Sequence, residues 1–102
     1  MSEAKPANVQ KRDTTFKQEH GAVSHLVKRK PDQAVARAIK GAQKVLDEGQ
    51  GKQALNVLTL AKPVLVAGSE DAAAYYTMLA TIHRAMGNEQ AAERAEQNLP
   101  AA

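Results

Sequence analysis

The stretch that decides the fold is LATIHRAMGNEQAAERA, from Leu79 to Ala95. Gly87 and Asn88 divide it into two halves, and each half has the composition of a helix. Glycine commonly follows the end of a helix, and asparagine caps the start of the next one. Alanines stand where the two halves would touch. The stretch therefore predicts two closely packed helices joined by a tight turn.

The composition agrees with an all-α protein. The chain has 102 residues, which is the size of one domain. Alanine, the best helix former, makes up about a fifth of the chain, whereas aromatic residues make up 3%. There is no cysteine, so disulfides, thiolate metal sites and cysteine nucleophiles are excluded. We expect an all-α protein in a reducing, cytoplasmic setting.

The N-terminal part is polar and basic. Residues 1–13 show no apolar run, so we expect a disordered basic tail and no secretory signal. No stretch of the chain reaches the roughly 18 apolar residues that a membrane span needs. Residues 14–30 predict a helix followed by a basic linker. Pro31 should break this helix, and Asp32 should cap the next one.

Two helical hairpins are expected over residues 31–102. Helices are predicted at 33–48, from about 52, from 70 to about 86, and at 89–98, with Ser69 and Asn88 as caps. Pro63 must end or kink the second of these helices, and the sequence leaves that choice open. The periodicity of the third helix predicts a buried face. Its members are Tyr76, Leu79, Ala80 and either Ile82 or His83.

The two hairpins repeat the same plan at an offset of 38 residues. Gly49 and Gly87 occupy the two turns, and Ala42/Ala54 and Ala80/Ala92 occupy the expected contacts between paired helices. A period of 20–50 residues is the signature of a helical solenoid.

These positions resemble the tetratricopeptide repeat, whose pattern is W-x₂-L-G-x₂-Y…A-x₃-F…P. The second hairpin (about 69–99) carries Tyr76, Leu79, Ala80, His83, Ala92 and Glu96 at these positions, and the first (about 32–67) carries Ala38, Gly41, Ala42, Val45, Ala54 and Leu58. Two departures stand out. The offset exceeds the 34 residues of the family, and Glu96 replaces an aromatic residue.

The resemblance implies a TPR-like short solenoid of about five helices, acting as a non-catalytic adaptor that binds a peptide or helix of another protein. First helices of such repeats line a groove. The expected partner-binding residues are Ile39, Lys40, Gln43, Tyr75, Thr77, Met78, Thr81 and Arg84. Three of these residues have alternative interpretations: Ile39 and Met78 could instead pack against the N-terminal helix, and Tyr75 is either an interface anchor or half-buried. A homodimer is a further expectation, since it would cover faces that extra repeats normally cover.

The charge distribution supports an alternative function. Residues 1–31 carry a net charge of +4, and residues 32–102 carry −1. Clustered cations bind phosphates with release of counterions, so a small basic nucleic-acid-binding regulator is the alternative. Its contact residues would be Lys11, Arg12, Lys17, Lys28, Arg29 and Lys30. A solvated basic linker is the simpler interpretation.

The sequence shows no catalytic or metal-binding constellation. His20 and His25 are five residues apart, which is a poor spacing for one helix face, and no acidic cluster joins them. No serine stands in a nucleophile-elbow context, and the glycines near Lys52 lack the spacing of a phosphate loop. We expect neither an enzyme nor a bound metal or cofactor.

Overall fold

A computed structural model describes residues 7–99, with side chains from residue 14 onward. The described residues form helices and no strand. The elements are α1 (Ala7–Arg29), α2 (Pro31–Asp47), α3 (Gly51–Thr59), the 3₁₀ turn η1 (Lys62–Val64), α4 (Glu70–Ala85) and α5 (Glu89–Glu96). The predicted all-α fold of about five helices is confirmed.

Helix α1 is longer than expected. It begins at Ala7 rather than at residue 14, while residues 1–6 of the expected tail lie outside the described residues. Helix α2 begins directly at Pro31, with Lys30 as the N-cap and no side-chain cap. The prediction that Asp32 caps this helix is wrong. Asp32 lies inside the first turn, where its charge still complements the helix dipole.

The turns form as the sequence predicts. Gly49 and Gly87 adopt φ values of 82° and 79°, in the left-handed region that glycine enters without steric cost. The Ser69 hydroxyl accepts a hydrogen bond from the Ala72 amide at 3.1 Å, and Asn88 Oδ1 accepts one from Ala91 at 3.3 Å. Both predicted caps are therefore confirmed.

Pro63 settles the length of the second predicted helix. Helix α3 ends at Thr59, and Pro63 lies beyond it in η1. Proline lacks an amide hydrogen and cannot donate the hydrogen bond that would continue the α-helix, so the chain forms a short 3₁₀ turn instead. This turn places Lys62 beside the second hairpin.

Helix α2 lies at the centre of the molecule, in contact with α1, α3 and α4. Helices α2 and α3 form one hairpin, α4 and α5 form the second, and α1 packs along the first. Helix α4 contacts both helices of the first hairpin. The shared core consists of Val23, Val35, Ala38, Ala42, Val45, Ala54, Val57, Leu58, Ala61, Tyr75, Met78 and Ile82.

The expected small-residue contacts are confirmed by burial. Ala42 and Ala54 are fully buried in the first hairpin, and Ala80 and Ala92 are buried in the second. With Ala95, the latter pair forms a separate cluster between α4 and α5. Alanine at these positions lets the two helix backbones approach closely.

The rotation of α4 about its axis differs from the expectation. Tyr75 is only 1% exposed and lies in the core, whereas Tyr76 is half-buried. Tyr75, Met78 and Ile82 share the face of α4 that meets the first hairpin. The predicted roles of the two tyrosines are therefore reversed, and Tyr75 is no interface anchor.

None of the described helices combines the length and the apolar character that crossing a bilayer requires.

Candidate functional site

The predicted partner-binding set does not form a single surface. Tyr75 and Met78 lie in the core. Ile39 is half-buried and packs against the same core. These three side chains pack in or against the core, so they are not available as contacts for a partner, and their predicted role is corrected accordingly.

Three polar members of the set are exposed but already bonded within their own helices. Gln43 Nε2 donates to Asp47 at 2.7 Å. The Thr77 and Thr81 hydroxyls each donate to the carbonyl four residues earlier, both at 2.9 Å. Lys40 is also exposed. Because these side chains are already hydrogen-bonded, the only charged group that this face of α2 and α4 offers a partner among these predicted residues is that of Lys40.

Arg84, the last member of the set, is held by the second hairpin. Its guanidinium binds the Glu96 carboxylate through two nitrogens, at 2.6 and 2.8 Å, and its Nε donates to Glu89 at 3.0 Å. These bonds lower the pKa of Glu96 and raise that of Arg84. Arg84 joins the end of α4 to both ends of α5, and this ties up the donors that a partner would need.

A different surface, on another side of α4, has the features of a binding site. An open groove of about 470 Å³ lies between α4, α5 and the turn at Lys62. We call it the α4–α5 groove. Its lining residues are Lys62, Tyr76, Leu79, His83, Asn88, Ala91, Arg94, Ala95 and Asn98.

The groove continues into a second depression. This one has a volume of about 270 Å³ and shares Lys62, Tyr76 and Asn98 with the first, then extends past Leu65 to Ala72. Ala72 and His83 lie eleven positions apart on α4, so at 1.5 Å per residue the continuous surface is about 16 Å long. That length matches about three turns of a helix or five residues of extended chain.

The groove has an apolar floor and basic walls. Tyr76 and Leu79 are half-buried and remain open to solvent, while Lys62 and Arg94 are exposed. Among residues 14–99, no carboxylate lines either depression. The amides of Asn88 and Asn98 are used structurally, since the first caps α5 and the second donates to the carbonyl of Arg94. The side chains with charge to offer are therefore the two cations.

Local sequence explains how the groove is assembled. Tyr76, Leu79 and His83 follow the spacing of one helix face, as do Ala91, Arg94 and Asn98 on α5. Sequence reasoning missed Lys62 and Arg94 because both looked like ordinary solvated charges. A signal was present in α5, where Glu89 and Glu96 share one face and Arg94 stands on another.

The alternative nucleic-acid residues are only partly described. Lys28, Arg29 and Lys30 are exposed in a row where α1 turns into α2, and none is ion-paired with another described residue. Lys17 is exposed on α1. The side chains of Lys11 and Arg12 lie outside the described residues.

The histidines do not assemble into a site. The ring of His20 lies 5.4 Å from that of Phe16, centroid to centroid, and His25 is exposed. Within residues 14–99, no group of three or more His, Asp or Glu side chains could hold a metal ion.

Comparison of the chain with family models, with curated proteins and with solved structures finds no match. The likeness to tetratricopeptide repeats thus stays a resemblance of sequence pattern, and the groove is a candidate site that the structure adds.

Proposed function

We propose that this protein is a small non-catalytic interaction module that binds a peptide or helix of a partner protein in the α4–α5 groove. The observation that carries the proposal is an apolar floor, Tyr76 and Leu79, left open between two helices and flanked by cations. Amphipathic segments bind such grooves through apolar anchors, with polar contacts at the rim. The cysteine-free sequence favours a cytoplasmic setting for this activity.

The hairpin arrangement supports the proposal. The two consecutive hairpins pack so that α4 contacts both helices of the first, and this packing is compatible with the tetratricopeptide-like hypothesis. That hypothesis implies an adaptor or assembly factor. The groove proposed here nevertheless differs from the one expected from the repeat pattern, since it lies on the side of α4 away from Thr77 and Thr81.

The groove is smaller than the interfaces of stable complexes. A surface about 16 Å long accepts a short segment. We therefore expect micromolar affinity and rapid exchange, as in transient signalling or assembly contacts.

The test is selection of peptides from a random-sequence library on the immobilised full chain, followed by affinity measurement with two matched variants. Ala91→Trp fills the groove from α5. Ala74→Trp adds the same side chain at an exposed site on another face of α4. Circular dichroism checks that both variants are helical.

We expect selected peptides to lose at least tenfold in affinity with Ala91→Trp and to bind Ala74→Trp as they bind the native chain. Failure to select any peptide would contradict the proposal. So would peptides whose binding is blocked by Ala74→Trp alone, since these would occupy the face expected from the repeat pattern. Light scattering of the same samples reports whether the chain is a monomer or the expected homodimer.

A second candidate function rests on the exposed row Lys28, Arg29 and Lys30. Three adjacent cations at a helix corner can contact phosphates, so a nucleic-acid-binding regulator is the alternative proposal. Binding of an oligonucleotide that weakens steeply with salt and is lost on Lys28→Glu/Lys30→Glu would favour it. Insensitivity to Ala91→Trp would separate this activity from the groove.

A further inference from the structure

We infer that the occupant of the α4–α5 groove is an acidic amphipathic segment, with apolar side chains on the floor and carboxylates against Lys62 and Arg94. This inference rests on the proposed function and specifies the chemistry of the partner. It comes from how charge is distributed around the second hairpin.

The charges of α5 are separated between two faces. Glu89 and Glu96 lie on the side where Arg84 pairs with both of them, so each carboxylate has a cationic partner there although the side keeps one net negative charge. Arg94 lies on the groove side, with Ala91 and Asn98. Arg84 thus holds these two carboxylates away from the groove, and Glu93, the third carboxylate of α5, lines neither depression. Arg94 therefore faces the groove without a carboxylate partner among the described residues.

Lys62 adds a second positive charge from a different element. It lines both depressions of the groove, and η1 places it there independently of α5. Neither Lys62 nor Arg94 forms an ion pair with another residue of the described part of the chain. Two unpaired cations from different elements, with no carboxylate among the described lining residues, make a surface complementary to negative charge.

The floor distinguishes an acidic peptide from a nucleic acid. Tyr76, Leu79, Ala91 and Ala95 present apolar surface between the two cations. Single-stranded nucleic acids are bound by extended tracks of cations with aromatic rings for successive bases, whereas this surface offers two cations and a single tyrosine ring, that of Tyr76. Leucine-like side chains fit the apolar surface, and arginine pairs well with carboxylates through its planar fork.

The test uses two fluorescein-labelled peptides of twelve residues, both with blocked ends. One places leucines on a single helix face and glutamates elsewhere, and the other has glutamine in place of every glutamate. Anisotropy titrations at low and raised salt measure binding to the full chain. Lys62→Glu and Arg94→Glu reverse the groove charges, and Lys40→Glu makes the same change on the exposed face of α2.

We expect the glutamate peptide to bind at least tenfold more tightly than the glutamine peptide, and less tightly as salt rises. Lys62→Glu and Arg94→Glu should each weaken it at least fivefold, while Lys40→Glu should change the affinity less than twofold. In the double variant Lys62→Glu/Arg94→Glu, the preference for glutamate over glutamine should be lost.

Equal binding of the two peptides, or an equal effect of Lys40→Glu, would overturn the inference. Tighter binding of a single-stranded oligonucleotide that depends on Lys62 and Arg94 would also overturn it in favour of phosphate. If library peptides bind and are blocked by Ala91→Trp but show no preference for acidic residues, this inference fails alone. If no peptide binds, the proposed function fails with it.

Discussion

The carboxyl group of Glu19 lies directly over the backbone of Gly41, where α1 packs against α2. A Cβ atom on Gly41 would come within 2.6 Å of Glu19 Oε1 and 3.0 Å of Glu19 Cβ. Glu19 is 4% exposed, and Arg37 and Lys44 of α2 flank its carboxylate on either side. The close approach of the two helices therefore depends on the missing side chain at Gly41.

Replacement of Gly41 by alanine should lower the free energy of unfolding by about 1–3 kcal/mol, the usual cost of overpacking. The carboxylate can swing aside, but Glu19 Cβ belongs to the rigid part of the side chain, so α1 must shift. Urea denaturation followed by circular dichroism measures the loss.

Gly21→Ala is the matched control for this change. Gly21 is helical and exposed, and an added Cβ there would meet no atom within 4 Å. Alanine is the better helix former, so this variant should gain up to about 1 kcal/mol. The same sign of change in both variants would contradict the proposed contact.

The second prediction concerns the charge of Glu19. Its contact with Arg37 is an ion pair without hydrogen-bond alignment, since Oε1 receives no hydrogen bond of acceptable geometry. Glu19→Gln leaves Arg37 and Lys44 without their carboxylate. These two side chains are 30% and 51% exposed, so water partly solvates their charges once the carboxylate is removed. We therefore expect the free energy of unfolding to fall by about 1–3 kcal/mol.

A double-mutant cycle with Arg37→Gln separates the pair from other effects of the substitution. A coupling energy near zero would show that Glu19 acts through packing alone.

The third prediction concerns the hydroxyl of Tyr75, which is buried without a hydrogen-bond partner among the described residues. Tyr75→Phe removes this unsatisfied group and keeps the ring, so unfolding should become harder by about 1 kcal/mol. Tyr75→Ala also removes the ring and should cost about 3–5 kcal/mol. Destabilisation by Tyr75→Phe would reveal a partner for the hydroxyl.

The same group predicts a pH dependence. Burial, and next the neighbouring Tyr76, raise the pKa of Tyr75 from 10.0 to about 12. Above pH 10 the unfolded chain releases this proton while the folded chain keeps it, so stability should fall as the pH rises from 10 to 12. Below pH 10 the contribution of protonated Tyr75 to stability is fully present. Tyr75→Phe should flatten this decline in denaturation measured across the range.

The fourth prediction concerns the Arg84–Glu96 pair. Hydrogen bonds from Arg84 lower the pKa of Glu96, so its contribution to stability is present above the pKa of the unfolded chain. This contribution is lost as the pH falls through the pKa that Glu96 has in the folded chain. In Arg84→Gln the pKa of Glu96, followed by NMR titration, should rise toward its ordinary value.

Arg94→Gln is the control for this measurement, because Arg94 faces the groove and not Glu96. It should leave the titration of Glu96 unchanged. An equal shift in both variants would mean that the general positive charge of the hairpin, and not the specific pair, sets the pKa.

Much of the helical framework could be predicted because its signals are local. Ser69, Asn88 and the glycines at 49 and 87 act within a few residues of their own position. Asp32 was misjudged as a cap because Pro31 already occupies the first helical position. Pro63 left two outcomes open in the sequence, and the structure shows that α3 ends before it, with Pro63 in a 3₁₀ turn.

The candidate site could not be predicted in the same way. Helix α4 is contacted on two sides, so its apolar residues fit more than one buried face. A rotation of one position exchanges Tyr75 for Tyr76 in the core and moves the candidate binding surface to another side of the helix. Arg84 looked free in the sequence because Glu96, its partner, is twelve residues away.

The amino-acid sequence by itself determined that this chain is all-α, where its hairpins turn and which helix ends are capped. Each of those features depends on the backbone preferences of a few adjacent residues. Only the tertiary structure decided which tyrosine is buried, that Arg84 is engaged by α5, and that Lys62 and Arg94 face one groove. Those outcomes depend on how helices distant in sequence rotate and pack against each other, and the 3.6-residue period of a helix does not specify that rotation.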